Sequence, residues 1–141
     1  MPHLLRDADA RDYAVVTALA ARLVDLNTCR RAAFDSALTS PDHDLVVAEL
    51  DGEVVGFAHL LTYEDVTHGA PAAALLGLYV QPDHRRRGIG TALLRETCQR
   101  ARLRRVHEFQ VSTEPDNEAA LSLYRRHGAE TVGIQLEFEL K

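Results

Sequence analysis

The sequence feature that most restricts the fold is a glycine-rich turn. It lies between an apolar run typical of a strand and apolar spacing typical of a helix. The run "AALLGLYV" (residues 73–80) is closed by "QPDH", and "HRRRGIGTALL" (residues 84–94) then leads directly into helical spacing. A short apolar run bounded by turn residues predicts a buried strand. We expect a helix from about Ile89 to Leu103 and a further strand in "VHEFQVST" (residues 106–113). Strand, helix and strand in this order predict a right-handed crossover in an α/β fold.

The remaining segments add a hairpin and further helices. Asp51 and Gly52 separate two β-rich runs and give a strong hairpin signal. Antiparallel strands are therefore expected near Leu45–Leu50 and Glu53–Tyr63, followed by a loop in "EDVTHGAP" (residues 64–71). Apolar residues spaced by three or four predict three more helices, near Asp9–Leu26, Arg30–Leu38 and Asn117–His127. The alternation in "GIQLEFELK" (residues 133–141) predicts a half-buried last strand.

Length and composition indicate one domain, over residues 1–141, of ordinary globular character. Apolar residues make up 46% and charged residues 26% of the chain, and no run is apolar for about 18 residues. We expect a cytoplasmic protein with no membrane partner. The two cysteines, Cys29 and Cys98, are expected to be free thiols. The seven histidines are scattered, without the close spacing of a zinc site, so no metal is predicted.

The net charge of −5 is unevenly distributed. Residues 1–84 hold five arginines and thirteen acidic residues, a net charge of −8. Residues 85–128 hold ten arginines and five acidic residues, a net charge of +5, and the last thirteen residues add −2. A basic segment in an acidic chain indicates a local anion site. Nucleic-acid binding is the least favoured function, since no aromatic residues interleave the basic cluster. That cluster contains Arg100, Arg102, Arg104 and Arg105.

The glycine-rich turn is suited to binding a phosphate. A helix start presents unpaired backbone N–H groups, and Gly88 and Gly90 leave them uncovered by side chains. A nucleotide-binding P-loop is disfavoured, because it needs a lysine followed by serine or threonine after the second glycine, and the only lysine is Lys141. A dinucleotide fingerprint is disfavoured too, because Leu93 occupies the place of its third glycine.

Two segments resemble the GCN5-related N-acetyltransferase family. "VQPDHRRRGIGTALL" is similar to its acetyl-CoA signature Q/R-x-x-G-x-G/A, and "NEAALSLYRRHG" is similar to its second segment N-x-x-A-x-x-L-Y-x-R/K-x-G. The order and separation of the two segments also fit. The matching positions are Arg85, Gly88, Gly90, Asn117, Ala120, Leu123, Tyr124, Arg126 and Gly128. The resemblance implies an acyl-CoA N-acyltransferase fold, with a mixed sheet of about six or seven strands and about four helices.

The resemblance also implies a function and site residues. Acetyl-CoA would lie between two splayed parallel strands, and its acetyl group would pass by direct attack to a primary amine. Tyr124 would protonate the departing thiolate, and Asn117 would hydrogen bond the pantetheine arm. The other cofactor-binding positions implied are Leu78, Tyr79 and Val80 for the pantetheine arm and the thioester, and Arg85, Arg86, Arg87, Gly88, Ile89, Gly90 and Thr91 for the pyrophosphate.

The base that accepts the amine's proton is less well defined. A primary amine with a pKa of about 10.4 is rarely neutral at pH 7, and many relatives supply a glutamate from the strand before the glycine-rich turn. Here that strand has no carboxylate, which leaves Glu64, His68, Asp65, His59 or a water chain, with Glu64 and His68 preferred. A non-catalytic acyl-CoA-binding or sensing module is the alternative.

The charge distribution indicates the type of acceptor, and the family resemblance indicates the oligomeric state. The acidic first half favours a small cationic amine as acceptor. Ala129 stands where relatives often have an aromatic residue, and little room remains for two full strands after it. The last part of the sheet is therefore expected to be shortened or completed by a partner chain, and a homodimer is expected.

Overall fold

The computed structural model describes residues 3–23 and 30–140 of the chain. It divides into two units, residues 1–111 and residues 112–141. The strands are β1 (Leu4–Asp7), β2 (His43–Leu50), β3 (Glu53–Asp65), β4 (Ala70–Val80) and β5 (Phe109–Val111). The helices are α1 (Tyr13–Leu23), α2 (Arg31–Thr39), α3 (Ile89–Leu103) and α4 (Glu118–Arg126). Short 3-10 turns span Ala10–Asp12 and Pro82–His84.

The first unit is built on one mixed sheet. Within the described residues the sheet has five strands, in the order β1-β2-β3-β4-β5. The first three pairings are antiparallel and β5 pairs parallel to β4. This parallel pair is joined through α3, so the predicted crossover and the α/β fold are confirmed. The described residues therefore supply fewer strands than the six or seven that the family resemblance implies.

The β2–β3 hairpin follows from its turn. Asp51 and Gly52 both have positive φ, 54° and 82°, which is the twist that a two-residue hairpin turn needs. The strands extend slightly beyond the predicted bounds. In particular, β3 reaches Asp65 and β4 begins at Ala70, so half of the expected loop over residues 64–71 is strand and the turn is confined to residues 66–69.

Helices cover both faces of the sheet in the first unit. Successive side chains of β3 point to opposite faces. Phe57 packs in one apolar cluster with Val16 of α1 and Phe34 of α2, whereas Leu60 packs in a second cluster with Ala101 of α3. The core is therefore divided by the sheet into a layer under α1 and α2 and a layer under α3.

The helix bounds agree closely with the sequence pattern. α3 spans the predicted residues, and α4 has Asn117 as its N-cap and Gly128, with φ 96°, just beyond its end. α1 is described only to Leu23, so the predicted continuation to Leu26 lies outside the described residues, as does Cys29. Among the described residues, no helix combines the length and the apolar character needed to cross a membrane.

The predicted last strand is wrong for the described part of the chain. After α4, residues 129–140 form no strand. The alternating apolar side chains of this segment are 84–91% exposed to solvent. These residues are Val132, Ile134, Leu136, Phe138 and Leu140. Extended backbone becomes a strand only when a neighbouring strand pairs with it, and this segment has no such neighbour among the described residues.

Candidate functional site

A β-bulge in β4 lies where its pairing with β5 ends. β3 pairs His59 with Gly77 and Leu60 with Leu75, so Leu76 is an extra residue in β4. β5 pairs with β4 only from Ala73 to Leu75. From Leu76 to Val80 the backbone on this side of β4 therefore has no strand partner within the described residues. A bulge redirects the local backbone groups, and this free length of strand can hydrogen bond an extended, amide-containing ligand.

The glycine-rich turn connects the end of β4 to α3. Gly88 is the residue before the helix and has left-handed backbone angles, φ 78° and ψ 6°. Apart from its own neighbours in the chain, no atom of the described residues lies within 4 Å of the place where a Cβ of Gly88 would be. The first intrahelical hydrogen bond here is donated by the Ala92 N–H to the Gly88 carbonyl. The earlier N–H groups of α3 are therefore directed at open space, which fits a phosphate.

The arginines of this turn differ in their roles. Arg85 Nε donates a hydrogen bond of 2.9 Å to the Val80 carbonyl, and its guanidinium lies 5.1 Å from the ring centre of Tyr79. Arg85 thus fixes the turn against the end of β4. Arg86 has a positive φ of 63°, and Arg86 and Arg87 are exposed. Their charges are available to an anion at the start of α3.

The Nδ1 atom of His84, just before these arginines, is buried and has no hydrogen-bond partner among the described residues. A buried polar atom without a partner is uncommon in proteins. His84 ends the short 3-10 turn that precedes the glycine-rich turn, and the sequence gives no signal that singles it out.

The second unit holds the other two residues implied by the resemblance. Asn117 caps α4, since its Oδ1 accepts a hydrogen bond of 3.1 Å from the Ala120 N–H. Tyr124 lies in the last turn of α4, two residues before its end, and is partly buried. Burial raises the pKa of its phenol. The phenol therefore keeps its proton at neutral pH, as a general acid requires.

Glu64 and His68 lie far along the sheet from the bulge. Glu64 pairs with Pro71 of β4, and His68 is in the turn that follows β3. Leu76 is five residues beyond Pro71, or about 17 Å at the rise of a β-strand. His59 is closer, because it pairs directly with Gly77 beside the bulge.

His59 belongs to a pair of stacked imidazoles. The His43 Nδ1 and His59 Nε2 atoms are 2.8 Å apart, and the ring centres are 5.0 Å apart. Burial, with a smaller contribution from His43, lowers the pKa of His59 to about 4. His43 was not considered in the sequence analysis, because β2 and β3 bring the two histidines together only through the register of the hairpin.

Asp65, His68 and His107 also meet. The Asp65 Oδ2 atom is 2.6 Å from His68 Nδ1 and 3.1 Å from His107 Nε2. The sequence analysis named Asp65 and His68 separately and did not expect His107 near them. No local signal could have found this cluster, since His107 enters it from the segment before β5.

Comparisons with known proteins agree with this fold and site. The model of the Acetyltransferase (GNAT) family matches residues 7–129. The chain is 30% identical over 133 residues to an aminoglycoside N(6')-acetyltransferase type 1 of Klebsiella aerogenes, covering 89% of this chain and 88% of the relative. It is 32% identical over 104 residues to an L-methionine sulfoximine/L-methionine sulfone acetyltransferase of Pseudomonas paraeruginosa, covering 74% of this chain and 60% of that relative.

Solved structures share the fold. The aminoglycoside N-acetyltransferase AAC(6')-Iy in complex with CoA superposes with a TM-score of 0.86 at 19% identity, over 99% of this chain and 95% of that one. The chain therefore shares its fold with that protein. The chain belongs to the acetyltransferase (GNAT) family.

Proposed function

We propose that this chain is an N-acetyltransferase that moves the acetyl group of acetyl-CoA to a primary amine. The observation that carries the proposal is the continuous backbone surface from the bulge at Leu76, along the unpaired part of β4, to the open N-terminus of α3 at Gly88. This surface suits a ligand with amides at one end and a pyrophosphate at the other. Both relatives are named as acetyltransferases, and one of them as an N-acetyltransferase, which supports the proposal.

Each part of the surface has a role in binding. The backbone of Leu78, Tyr79 and Val80 would pair with the pantetheine arm, and a free N–H beside the bulge would polarise the thioester carbonyl. The N–H groups of Ile89, Gly90 and Thr91 would bind the pyrophosphate together with Arg86 and Arg87. Asn117 would add a hydrogen bond from its amide nitrogen while its Oδ1 caps α4.

Acetyl-CoA supplies a thioester whose carbonyl carbon accepts the amine's electron pair. The new C–N bond forms as the C–S bond breaks, the amine nitrogen loses a proton, and the thiolate gains one. Tyr124 is proposed to donate the proton to the thiolate, which agrees with its raised pKa. No covalent intermediate on the enzyme is required.

Among the residues proposed as bases, His59 has the best position. Glu64 and His68, which the sequence analysis preferred, would need a water chain across about 17 Å, five residues of strand. His59 is beside the bulge, and it is neutral at pH 7, so its lone pair is free for the amine's proton. The burial that lowers its pKa to about 4 also makes it a weaker base than an ordinary histidine. Its hydrogen-bonding contact with His43 gives that proton a route onward.

The acceptor is proposed to be a small cationic amine. The net charge of −8 over residues 1–84 would attract a cation, and one relative is named for aminoglycosides. Another is named for methionine sulfoximine, so amino-acid-like amines belong in any test.

The experiment measures CoA thiol release from acetyl-CoA with aminoglycosides, polyamines, methionine sulfoximine and short peptides. The proposal predicts release that depends on one class of amine and falls at least tenfold in Tyr124→Phe, with unchanged CoA affinity. Tyr63→Phe, on an exposed part of β3, is the matched control and should behave like the wild type. Release that does not depend on any amine, or that is equal in Tyr124→Phe, would contradict the proposed mechanism.

A non-catalytic acyl-CoA-binding module is the second candidate, and one observation favours it. β4 reads "APAAALLGLYV" and contains no carboxylate. Tight acetyl-CoA binding without amine-dependent release would support this candidate.

We also propose a homodimer in which a second copy covers the apolar side chains of residues 132–140. Because these side chains alternate with polar residues, they would share one face of an extended segment. Each of them is exposed, and an exposed apolar face is typical of an interface. Light scattering with size exclusion should show a dimer for the wild type and a monomer for Ile134→Asp/Phe138→Asp. A monomeric wild type would refute this assembly.

A further inference from the structure

Two imidazoles and a carboxylate come together at the turn between β3 and β4. Asp65 ends β3, His68 lies in the turn, and His107 precedes β5. One ligand atom from each lies within 4.8 Å of the other two. We propose that Asp65, His68 and His107 bind a divalent transition-metal ion of the zinc class. This proposal does not depend on the acetyltransferase function.

The carboxylate is already oriented for a metal ion. The Asp65 Oδ1 atom accepts backbone hydrogen bonds from Thr67 at 3.1 Å and from His68 at 3.4 Å. The Oδ2 atom is thereby left facing the two rings, at 2.6 Å and 3.1 Å from their nearest nitrogens. An aspartate carboxyl, with an ordinary pKa of about 3.9, is ionised at neutral pH, as a ligand must be.

Backbone hydrogen bonds fix the segments that carry the ligands. The Gly69 N–H donates to the Asp65 carbonyl at 2.8 Å and closes the turn. The His107 N–H donates to the Pro71 carbonyl at 2.9 Å, which ties the segment before β5 to the start of β4. The three side chains thus converge from positions that the sheet determines.

The donor set identifies the class of ion. Imidazole nitrogens with one carboxylate are ligands of zinc and similar transition metals, whereas magnesium and calcium prefer oxygen ligands alone. Zinc bonds of 2.0–2.1 Å place tetrahedral ligand atoms about 3.3 Å apart, which the present separations reach with small side-chain rotations. The His68 side chain is 57% exposed, so water can complete the coordination.

The ion would have a structural consequence. It would join the β3–β4 turn to the entry of β5, a strand of only three residues at the edge of the sheet. A bound metal would also occupy the lone pair with which His68 could accept a proton. Metal binding and a role of His68 as general base therefore exclude each other.

The test titrates untagged, metal-free protein with Zn²⁺ by calorimetry and with Co²⁺ by visible absorption. The wild type should bind one equivalent of Zn²⁺, and bound Co²⁺ should give the absorption bands of a site with nitrogen ligands. Asp65→Asn, His68→Gln and His107→Gln should each weaken Zn²⁺ binding at least tenfold. His127→Gln, which removes an exposed imidazole on the other unit, is the control and should bind like the wild type.

Circular dichroism of each variant checks that it is folded. Absence of stoichiometric Zn²⁺ binding by the wild type would overturn the proposal, and so would binding that all three variants retain. In that case the cluster is a hydrogen-bonded His–Asp–His group without an ion.

Discussion

Gly88→Ala separates the binding role of the glycine-rich turn from its effect on folding. Gly88 has a φ of 78°, and a Cβ there would contact nothing within 4 Å. The substitution therefore introduces backbone strain of about 1–2 kcal/mol and no steric clash. The chain offers a matched control, since Gly52, in the β2–β3 turn, has a φ of 82° and equally open surroundings.

The two variants should differ in ligand affinity. Relief of the strain at residue 88 would rotate the first turn of α3 and misalign its N–H groups, and the new methyl group would stand where the pyrophosphate is proposed to lie. A hydrogen bond to a charged group is worth about 1.5–3 kcal/mol. Loss of one such bond weakens binding about tenfold to a hundredfold.

The assays are urea unfolding for stability and calorimetry for CoA affinity. Both variants should lose about 1–2 kcal/mol of stability, and only Gly88→Ala should lose CoA affinity. Equal CoA affinity in Gly88→Ala and the wild type would refute the proposed role of the helix N-terminus. A similar loss of CoA affinity in Gly52→Ala would show that affinity reflects stability alone.

Two further predictions concern stability. Arg6 donates to both carboxylate oxygens of the buried Asp12, at 2.8 and 2.9 Å, and this pairing lowers the pKa of Asp12. Asp12→Asn should therefore cost about 2–3 kcal/mol in urea unfolding at pH 7. Because the pKa of Asp12 is lower in the folded chain, the difference from the wild type should shrink as the pH falls below about 3.9, the ordinary pKa of an aspartate. A difference that is constant with pH would contradict this explanation. His59 has a pKa lowered to about 4, so the unfolded chain binds a proton at about pH 6.5 that the folded chain does not. The free energy of unfolding should therefore fall by roughly 2–3 kcal/mol as the pH decreases from about 6.5 to about 4. His59→Gln should remove most of this pH dependence. An unchanged pH profile in His59→Gln would assign the effect to other groups.

Local signals in the sequence were sufficient for much of the fold. The hairpin at Asp51 and Gly52 and the bounds of α3 were predicted correctly, because turn chemistry and apolar spacing act over a few residues. The open start of α3 at Gly88 follows from the same local chemistry. The bulge at Leu76 is different, since it appears only in the register between β3 and β4.

Contacts between distant segments could not be predicted. The cluster at Asp65 depends on His107, which is 42 residues away along the chain, and the pairing of β3, β4 and β5 brings them together. The strand expected after residue 132 failed for a related reason. Alternation shows that Ile134 and Phe138 share a face, but it does not supply the neighbouring strand that would pair with them.

Thiol release alone does not prove acetyl transfer to an amine, because hydrolysis also frees the thiol. The most direct measurement incubates the chain with isotopically labelled acetyl-CoA and the amine panel, and follows the label by mass spectrometry. If the chain transfers acetyl groups to an amine, the label will appear on that amine in an amount equal to the thiol released. Label found only as free acetate, or retained on CoA that the protein binds, would contradict it.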